Sequence, residues 1–158
     1  MRRPFFCLSG AAFILAAAIT VVSIAGCSSM PPGGTASRGR ALYEVSCGAC
    51  HQPDGGGKEG VASPLAGSEW VTGSEGRLLR IALDGVRGPI QVKGKRYQLE
   101  MPALRHVYGD ADMAAILTYI RGAWGNSASA VTVDAVGKVR SETAQRGDSW
   151  TAEELGSP

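Results

Sequence analysis

Cys47-Gly48-Ala49-Cys50-His51 is the stretch on which the reading of this 158-residue chain turns. Two thiols separated by two residues and followed at once by an imidazole match the attachment site of a c-type haem. The spacing has a physical reason. It lets both sulfurs reach the vinyl groups on one edge of a porphyrin, and His51 then falls under the iron. A thioredoxin-like redox pair needs a strand ahead of the motif, whereas a helical pattern precedes it here. A structural zinc site needs two further thiolate or imidazole ligands, and beyond the motif the exported part of the chain offers His106 alone. A disulfide across two residues would be strained and would leave His51 unexplained. One covalent haem c, with its iron, is the expected cofactor.

The other two cysteines lie upstream. Arg2 and Arg3 are followed by 22 residues without a charge, from Phe5 to Gly26, which include Cys7 and end in Ile24-Ala25-Gly26-Cys27. A basic start, an apolar run and small residues before the cysteine read as an export signal. The stretch resembles the signal and lipobox of bacterial lipoproteins, which implies that residues 1–26 are removed and that the Cys27 thiol takes a diacylglycerol. The run is also long enough to remain as an uncleaved membrane anchor. Either way, the remainder is expected on the extracytoplasmic side of the envelope, held at a membrane, and periplasmic in a Gram-negative cell. Residues 27–38 turn to Ser, Pro, Gly and Thr without apolar periodicity and read as a flexible tether.

Residues 1–26 hold 18 of the chain's approximately 70 apolar residues and all three Phe. The other 132 residues are about 39 % apolar, with 14 Lys/Arg against 14 Asp/Glu. One modest domain fits that length. The charge balance argues against a nucleic-acid binder, and 20 Gly argue against a helical repeat or coiled coil. A loop-rich globule of this size needs an extra source of core.

Residues 39–126 resemble the class I monohaem cytochromes c. Besides the attachment motif, Gly39 and Tyr43 stand four apart on one helical face ahead of it. Residues 111–124 read as a final helix, with Asp110 as N-cap and Gly125-Asn126 as the stop. The resemblance implies an all-α fold, its helices packed around one covalently attached haem. It implies that the first and last helices cross at Gly39, that Tyr119 faces Tyr43, and that Ile116 and Ile120 lie on the haem. It also implies a methionine as second axial ligand beside His51. Met30 falls in the tether and Met113 in the first turn of the last helix. Met101, in Met101-Pro102-Ala103-Leu104, comes 50 residues after His51, where this family places its methionine. Pro102 disfavours helix at Met101. His106 is the runner-up. Pro64, 13 residues after His51, stands where the family has a proline whose carbonyl accepts the second imidazole N–H. Leu65 would then press on the haem face.

Residues 72–84 read as a helix, with Thr72 and Glu75 as a capping box and Gly85 as its end. Residues 90–99 read as a short hairpin or loop insertion around Lys93-Gly94, just before the methionine. Between Arg77 and Arg105 stand seven basic and two acidic residues, either a docking face for an acidic partner or a solubilised hairpin edge. Gly67-Ser68-Glu69-Trp70-Val71, Gly88-Pro89-Ile90 and Met101-Pro102 are similar to cytochrome modules found with quinoprotein-type dehydrogenases of the bacterial envelope. That resemblance implies a carrier of single electrons from such a dehydrogenase to a terminal oxidase or another cytochrome, with no bond-making chemistry of its own. A fixed haem subunit of a dehydrogenase or oxidase complex, and a gas sensor from which Met101 departs, are the alternatives. Trp70 is either a hydrogen-bond donor to a haem propionate or a wedge in the core. Residues 127–158 lie outside the resemblance; a helix over 132–145 either wraps the domain through Val133, Val136 and Val139 or binds a partner.

Overall fold

The computed structural model describes residues 32–98, 100–156 and 158. The expected signal at 1–26, the lipidation site Cys27, Met30 and the first part of the tether lie outside the described residues, as does Leu99. The rest of the expected tether is not a tether. Helix α1 runs Pro32–Ser46, so residues 32–38 form its first turns. Proline suits the start of a helix, where its missing N–H is not needed. Farther along, Arg38 pairs with Asp112 at 2.6 Å, tying the helix to the body.

Seven helices and five short strands follow one another among the described residues. After α1 come α2 (Gly48–His51), α3 (Glu69–Thr72) and α4 (Glu75–Asp84), then β1 (Val86–Arg87), β2 (Ile90–Val92), β3 (Lys95–Tyr97) and β4 (Glu100–Met101). The chain continues through α5 (Asp110–Gly122), α6 (Val133–Glu142), β5 (Trp150–Thr151) and α7 (Ala152–Leu155). Helices α1 and α5 cross where the sequence places them. A Cβ on Gly39 would lie 2.1 Å from the carbonyl oxygen of Ala115, so only glycine permits this approach. Tyr43 is fully buried, its ring 5.5 Å from Tyr119 and 5.0 Å from Trp124, and its hydroxyl donates to the Gln52 carbonyl at 2.5 Å.

Three element boundaries differ from expectation. Asp110 does not cap α5; Gly109 is the N-cap, and the Asp110 carboxylate instead accepts from Arg140 Nε at 2.6 Å. The helix ends at Gly122, short of Trp124, which takes a positive φ of 53°. The helix expected over 72–84 starts later, at Glu75, and Thr72 instead ends a separate short helix; each is started by a serine, Ser68 accepting from the Trp70 N–H and Ser74 from the Arg77 N–H. Thr72 cannot form the capping box because its hydroxyl donates back to the Ser68 carbonyl. Gly85, at φ 80°, ends α4 as expected.

The fold is helical, about 47 % of it in helices, and adds a second small sheet to the expected hairpin. Strands β2 and β3 form a hairpin with Ile90 opposite Tyr97, turning on Lys93 at φ 50° and Gly94 at φ 75°. Strand β1 lies between β4 and β5, so that Val86 faces Met101 on one side in antiparallel register and Trp150 on the other in parallel register. Extended backbone between 86 and 101 needs hydrogen-bond partners, and the end of the chain supplies one edge of them. The C-terminal segment wraps the domain: Val136 and Val139 of α6 are buried, while Val133 is 49 % exposed. Among the described residues no helix is long and apolar enough to cross a membrane.

Two clusters make the core. One joins Tyr43, Cys47, Leu79, Leu83, Met113, Ile116, Ile120 and Val136 across α1, α4, α5 and α6. The other joins Trp70, Ile81, Val86, Ile90 and Val92, with Met101 packed against it.

Candidate haem site

An apolar cleft of about 750 Å³, counted with its open mouth, brings three distant parts of the chain together. Cys50, His51 and Leu65 come from the segment after α1, Trp70 and Ile81 from α3 and α4, and Met101 and Pro102 from the β4 region. Among the residues singled out from the sequence, Cys50, His51, Leu65 and Met101 therefore border one space.

The attachment motif is a single helical turn. Cys47 stands at its N-cap and accepts the His51 N–H at 2.8 Å, so the two cysteines sit three residues apart on one face. Both thiols are free. Cys47 is buried in the first core cluster, and burial, reinforced by the neighbouring Cys50, pushes its thiol up to about 11. Cys50 is exposed at the cleft.

His51 is oriented by its second nitrogen. Nδ1 lies 2.9 Å from the carbonyl oxygen of Ser63. A carbonyl only accepts, so Nδ1 carries the proton and Nε2 is left with its lone pair. Burial holds the imidazole below its ordinary pKa, opposed by the Ser63 contact, which favours the charged form. A neutral ring with Nε2 open is the state that ligates a metal. The acceptor is the carbonyl of Ser63 rather than that of Pro64, one residue earlier than expected. Proline restricts the residue before it to extended backbone. The same loop is closed by a bridge between Lys58 and Ala62 and by Gly57, where a Cβ would meet Ala62 and Ser63 backbone at 2.7 Å. Those contacts fix the Ser63 carbonyl toward the ring.

The methionine candidates separate cleanly. Met101 is half-buried and lines the cleft, Met113 is fully buried in the first core cluster, and His106 is exposed in a separate polar groove with Asp84, Arg87 and Glu100. Ile116 and Ile120 are buried in the same cluster as Cys47, and none of the three is among the residues that border the cleft. Pro64 does not line it either. Trp70 is the wedge and not the free donor, since its Nε1–H is given to the Gln91 carbonyl at 2.7 Å while its ring borders the cleft.

Two residues that hold the site were not singled out as such. Asn126, expected only as a helix stop, is buried; it accepts the Gly67 N–H at 2.8 Å and donates to the carbonyls of Leu65 and Ile120 at 3.1 and 2.8 Å. It fastens the loop carrying Leu65 to the end of α5. Arg121, also buried, donates to the carbonyls of Val71 and Ser129 at 2.8 Å each. The Gly125-Asn126 pair just beyond the last helix is the only local signal for Asn126, and nothing local marks Arg121.

The donor set fits a covalently held haem: two free thiols in one turn, a neutral imidazole with its lone pair open, and a thioether, with Cys50, His51 and Met101 on one apolar cleft and Cys47 buried in the first core cluster. Among the described residues no three His, Cys, Asp or Glu side chains gather as a metal site. Comparison with protein families matches residues 36–124, more than half of the chain, to cytochrome c. The chain belongs to the cytochrome c family. As a cytochrome c it carries covalently attached haem c with its iron. The sequence holds one attachment motif.

This cytochrome is similar to the gluconate 2-dehydrogenase cytochrome c subunit of Pantoea cypripedii, at 35 % identity over 70 % of this chain and 25 % of that protein. It is 37 % identical to cytochrome c-552 of Thermus thermophilus, over 56 % of this chain and 70 % of the relative. The cytochrome c subunit of the quinone alcohol dehydrogenase of Gluconobacter oxydans is 30 % identical over 61 % of this chain and 20 % of its own length. The chain thus spans about a quarter or less of the two dehydrogenase subunits and most of the small cytochrome.

Proposed function

We propose that this cytochrome c carries single electrons from a dehydrogenase of the bacterial envelope to a terminal oxidase or another cytochrome. In this reading the haem is bound through Cys47 and Cys50, with His51 and Met101 as axial ligands in a class I fold. The observation that carries the proposal is the cleft, which His51 and Met101 reach from separate segments. Bound haem would supply an iron that cycles between two oxidation states. The chain's own work is to hold it. Ser63 fixes the tautomer of His51, the apolar lining excludes water, and Asn126 keeps the Leu65 loop closed. His51 and Met101 would hold the iron between them and leave a substrate no position on it, which fits a carrier rather than an enzyme. Thioether ligation raises the reduction potential.

The names of two relatives, cytochrome c subunits of gluconate and alcohol dehydrogenases, support a dehydrogenase as the electron donor. They also favour a second reading, a fixed haem subunit of such a complex, which co-purification would reveal. Anchoring at the extracytoplasmic membrane face through lipid on Cys27 completes the proposal. Its support is the charge-free run ending in Ile24-Ala25-Gly26-Cys27.

Met101→Ala is the direct test. It should abolish the weak sulfur-to-iron absorption at the red end of the ferric spectrum and lower the midpoint potential by on the order of 0.1 V, within the wide range that axial ligands set. Met113→Ala should do neither. Exchange of the two phenotypes would refute the ligand assignment. For the anchor, Cys27→Ser should lose palmitate labelling and leave the membrane fraction; labelling that persists excludes Cys27 as the only lipid site.

A further inference from the structure

Residues 127–158 lie beyond the part of the chain matched to the family, which ends at 124. They nevertheless hold the segment that carries Met101, and they hold it at both ends. Downstream of Met101, the Arg140 guanidinium of α6 collects three acceptors: Nη1 donates to the Arg105 carbonyl at 2.6 Å, Nη2 to the Tyr108 carbonyl at 2.8 Å and Nε to Asp110 at 2.6 Å. Arg105 in turn donates to the Thr143 hydroxyl at 2.6 Å and through Nε to Asp84 at 2.7 Å, with a second, closer contact from Nη2 to the same carboxylate. That ion pair is almost fully withdrawn from water, with side-chain exposures of 12 % and 3 %.

At the other end, β5 completes the sheet. Val86 stands between Met101 and Trp150, and the Trp150 N–H donates to the Gly85 carbonyl at 3.1 Å. The Trp150 indole donates to the second oxygen of Asp84 at 3.3 Å, and the Ser149 hydroxyl donates to Glu100, the residue before Met101, at 2.6 Å. Asp84 is therefore the point where both ends meet. One of its oxygens serves the loop after Met101 and the other serves the strand beside it.

The geometry points to Arg140, Arg105 and Asp84 as positioning residues through which the C-terminal segment keeps the Met101 thioether in place and so governs how readily it leaves the iron. This inference rests on the assignment of Met101 as ligand. Buried polar networks of this kind are stiff when every member is satisfied and lose that stiffness when one is removed. The backbone carbonyls of Arg105 and Tyr108 have no means of following a displaced methionine while Arg140 holds them.

The test uses the full-length, haem-loaded cytochrome. Carbon monoxide binds the ferrous protein only after the methionine has left, so its binding rate reads ligand departure directly. Arg140→Leu removes all three hydrogen bonds of the guanidinium; it should raise that rate about tenfold and weaken the sulfur-to-iron band on warming at temperatures where the protein is still folded. Arg140→Lys should fall between Arg140→Leu and wild type. Thr143→Val removes a single hydroxyl; it should raise the rate about threefold and keeps the test open if Arg140→Leu does not fold. A fall in melting temperature with the carbon monoxide rate and potential unchanged in Thr143→Val and Arg140→Lys would overturn the inference and leave the segment as packing alone. Met101→Ala separates the two readings. If it keeps the sulfur-to-iron band, the ligand assignment fails and this inference with it. If it loses the band while the Arg140 and Thr143 variants behave as wild type, only the positioning role fails.

Discussion

The α1–α5 crossing and the Met101 side of the cleft are built by different physics. At the crossing two backbones touch: Gly39 lies against the Ala115 carbonyl, and the rings of Tyr43, Tyr119 and Trp124 interlock with centroids 5.0 to 5.5 Å apart. Shape decides that region, and a misplaced methyl has nowhere to go. On the Met101 side the strands are two residues long and the connections are polar, running from Asp84 to Arg105, Thr143 and Trp150. Charge and hydrogen bonding decide that region. A steric contact is unforgiving, whereas a polar network can lose a member and survive in a looser form. The end of the chain that carries the thiols is thus expected to be rigid, and the end that carries the thioether adjustable.

The largest effect should come from the crossing. On an exposed helix Gly→Ala stabilises by up to about 1 kcal/mol. Gly39→Ala should reverse that sign and cost about 3 kcal/mol, because the new Cβ would lie 2.1 Å from a backbone oxygen that no rotamer change can move. Denaturant unfolding of the holoprotein would show it as a fall in midpoint with the slope retained. A variant as stable as wild type would mean that α1 can slide on α5, and the rigid half of the comparison would be lost.

The same contrast explains what was legible beforehand. Gly39, Tyr43 and Tyr119 were readable because a helix converts spacing into a face, and Cys47, Cys50 and His51 because their chemistry is written in five consecutive residues. The Lys93-Gly94 hairpin was readable from its turn. What escaped were contacts between residues far apart in sequence. The acceptor for His51 fell one residue from Pro64, a matter of which carbonyl the loop turns inward. Ile116 and Ile120, placed on the haem by resemblance, are buried with Tyr43 and Cys47. Residues 32–38 look like a tether because Pro, Gly and Ser dominate them, yet packing of Gly39 and the Arg38–Asp112 pair carry the helix back through them. Strand β5 had no local signal at all, since it is two residues long and exists only because β1 offers an edge.

An intermediate effect tests how the rigid region supports the motif. The Tyr43 hydroxyl donates to the carbonyl of Gln52, which is held at φ 65° and ψ 157°, a backbone conformation that costs a non-glycine residue energy. Burial pushes the Tyr43 phenol well above its ordinary pKa, so it remains a donor throughout the neutral range. Tyr43→Phe keeps the ring and removes only that bond. It should cost about 1 kcal/mol, the usual net value of one buried hydrogen bond, visible in the same unfolding assay. A cost near that of Gly39→Ala would show that the strained turn after His51, and not the helix crossing, is the keystone of the region.

The smallest effect concerns the basic stretch on the adjustable side. Between Arg77 and Arg105 the sequence carries seven basic residues against two acidic, which invites a docking face for an acidic partner. The fold takes most of that excess away. Arg80 meets Glu142, Arg87 meets Asp148 and Lys95 meets Glu59, all carboxylates from outside the stretch, and the local excess falls from five to two. Arg105 is turned inward to Asp84, and Arg77 is buried beside Trp70. Lys93 and Arg96 therefore supply the remaining field, and a field that weak steers association poorly. Changing Lys93, Lys95 and Arg96 together to Glu should slow electron uptake from an acidic donor by less than about threefold at low salt, with the spectrum unchanged. Raising salt from roughly 0.01 to 0.15 M shortens the screening length from about 30 Å to about 8 Å and should likewise change the wild-type rate only a few-fold. A drop of tenfold or more in either measurement would mean that these ion pairs open when the partner arrives. The adjustable side of the cleft would then owe its looseness to docking as much as to the methionine it carries.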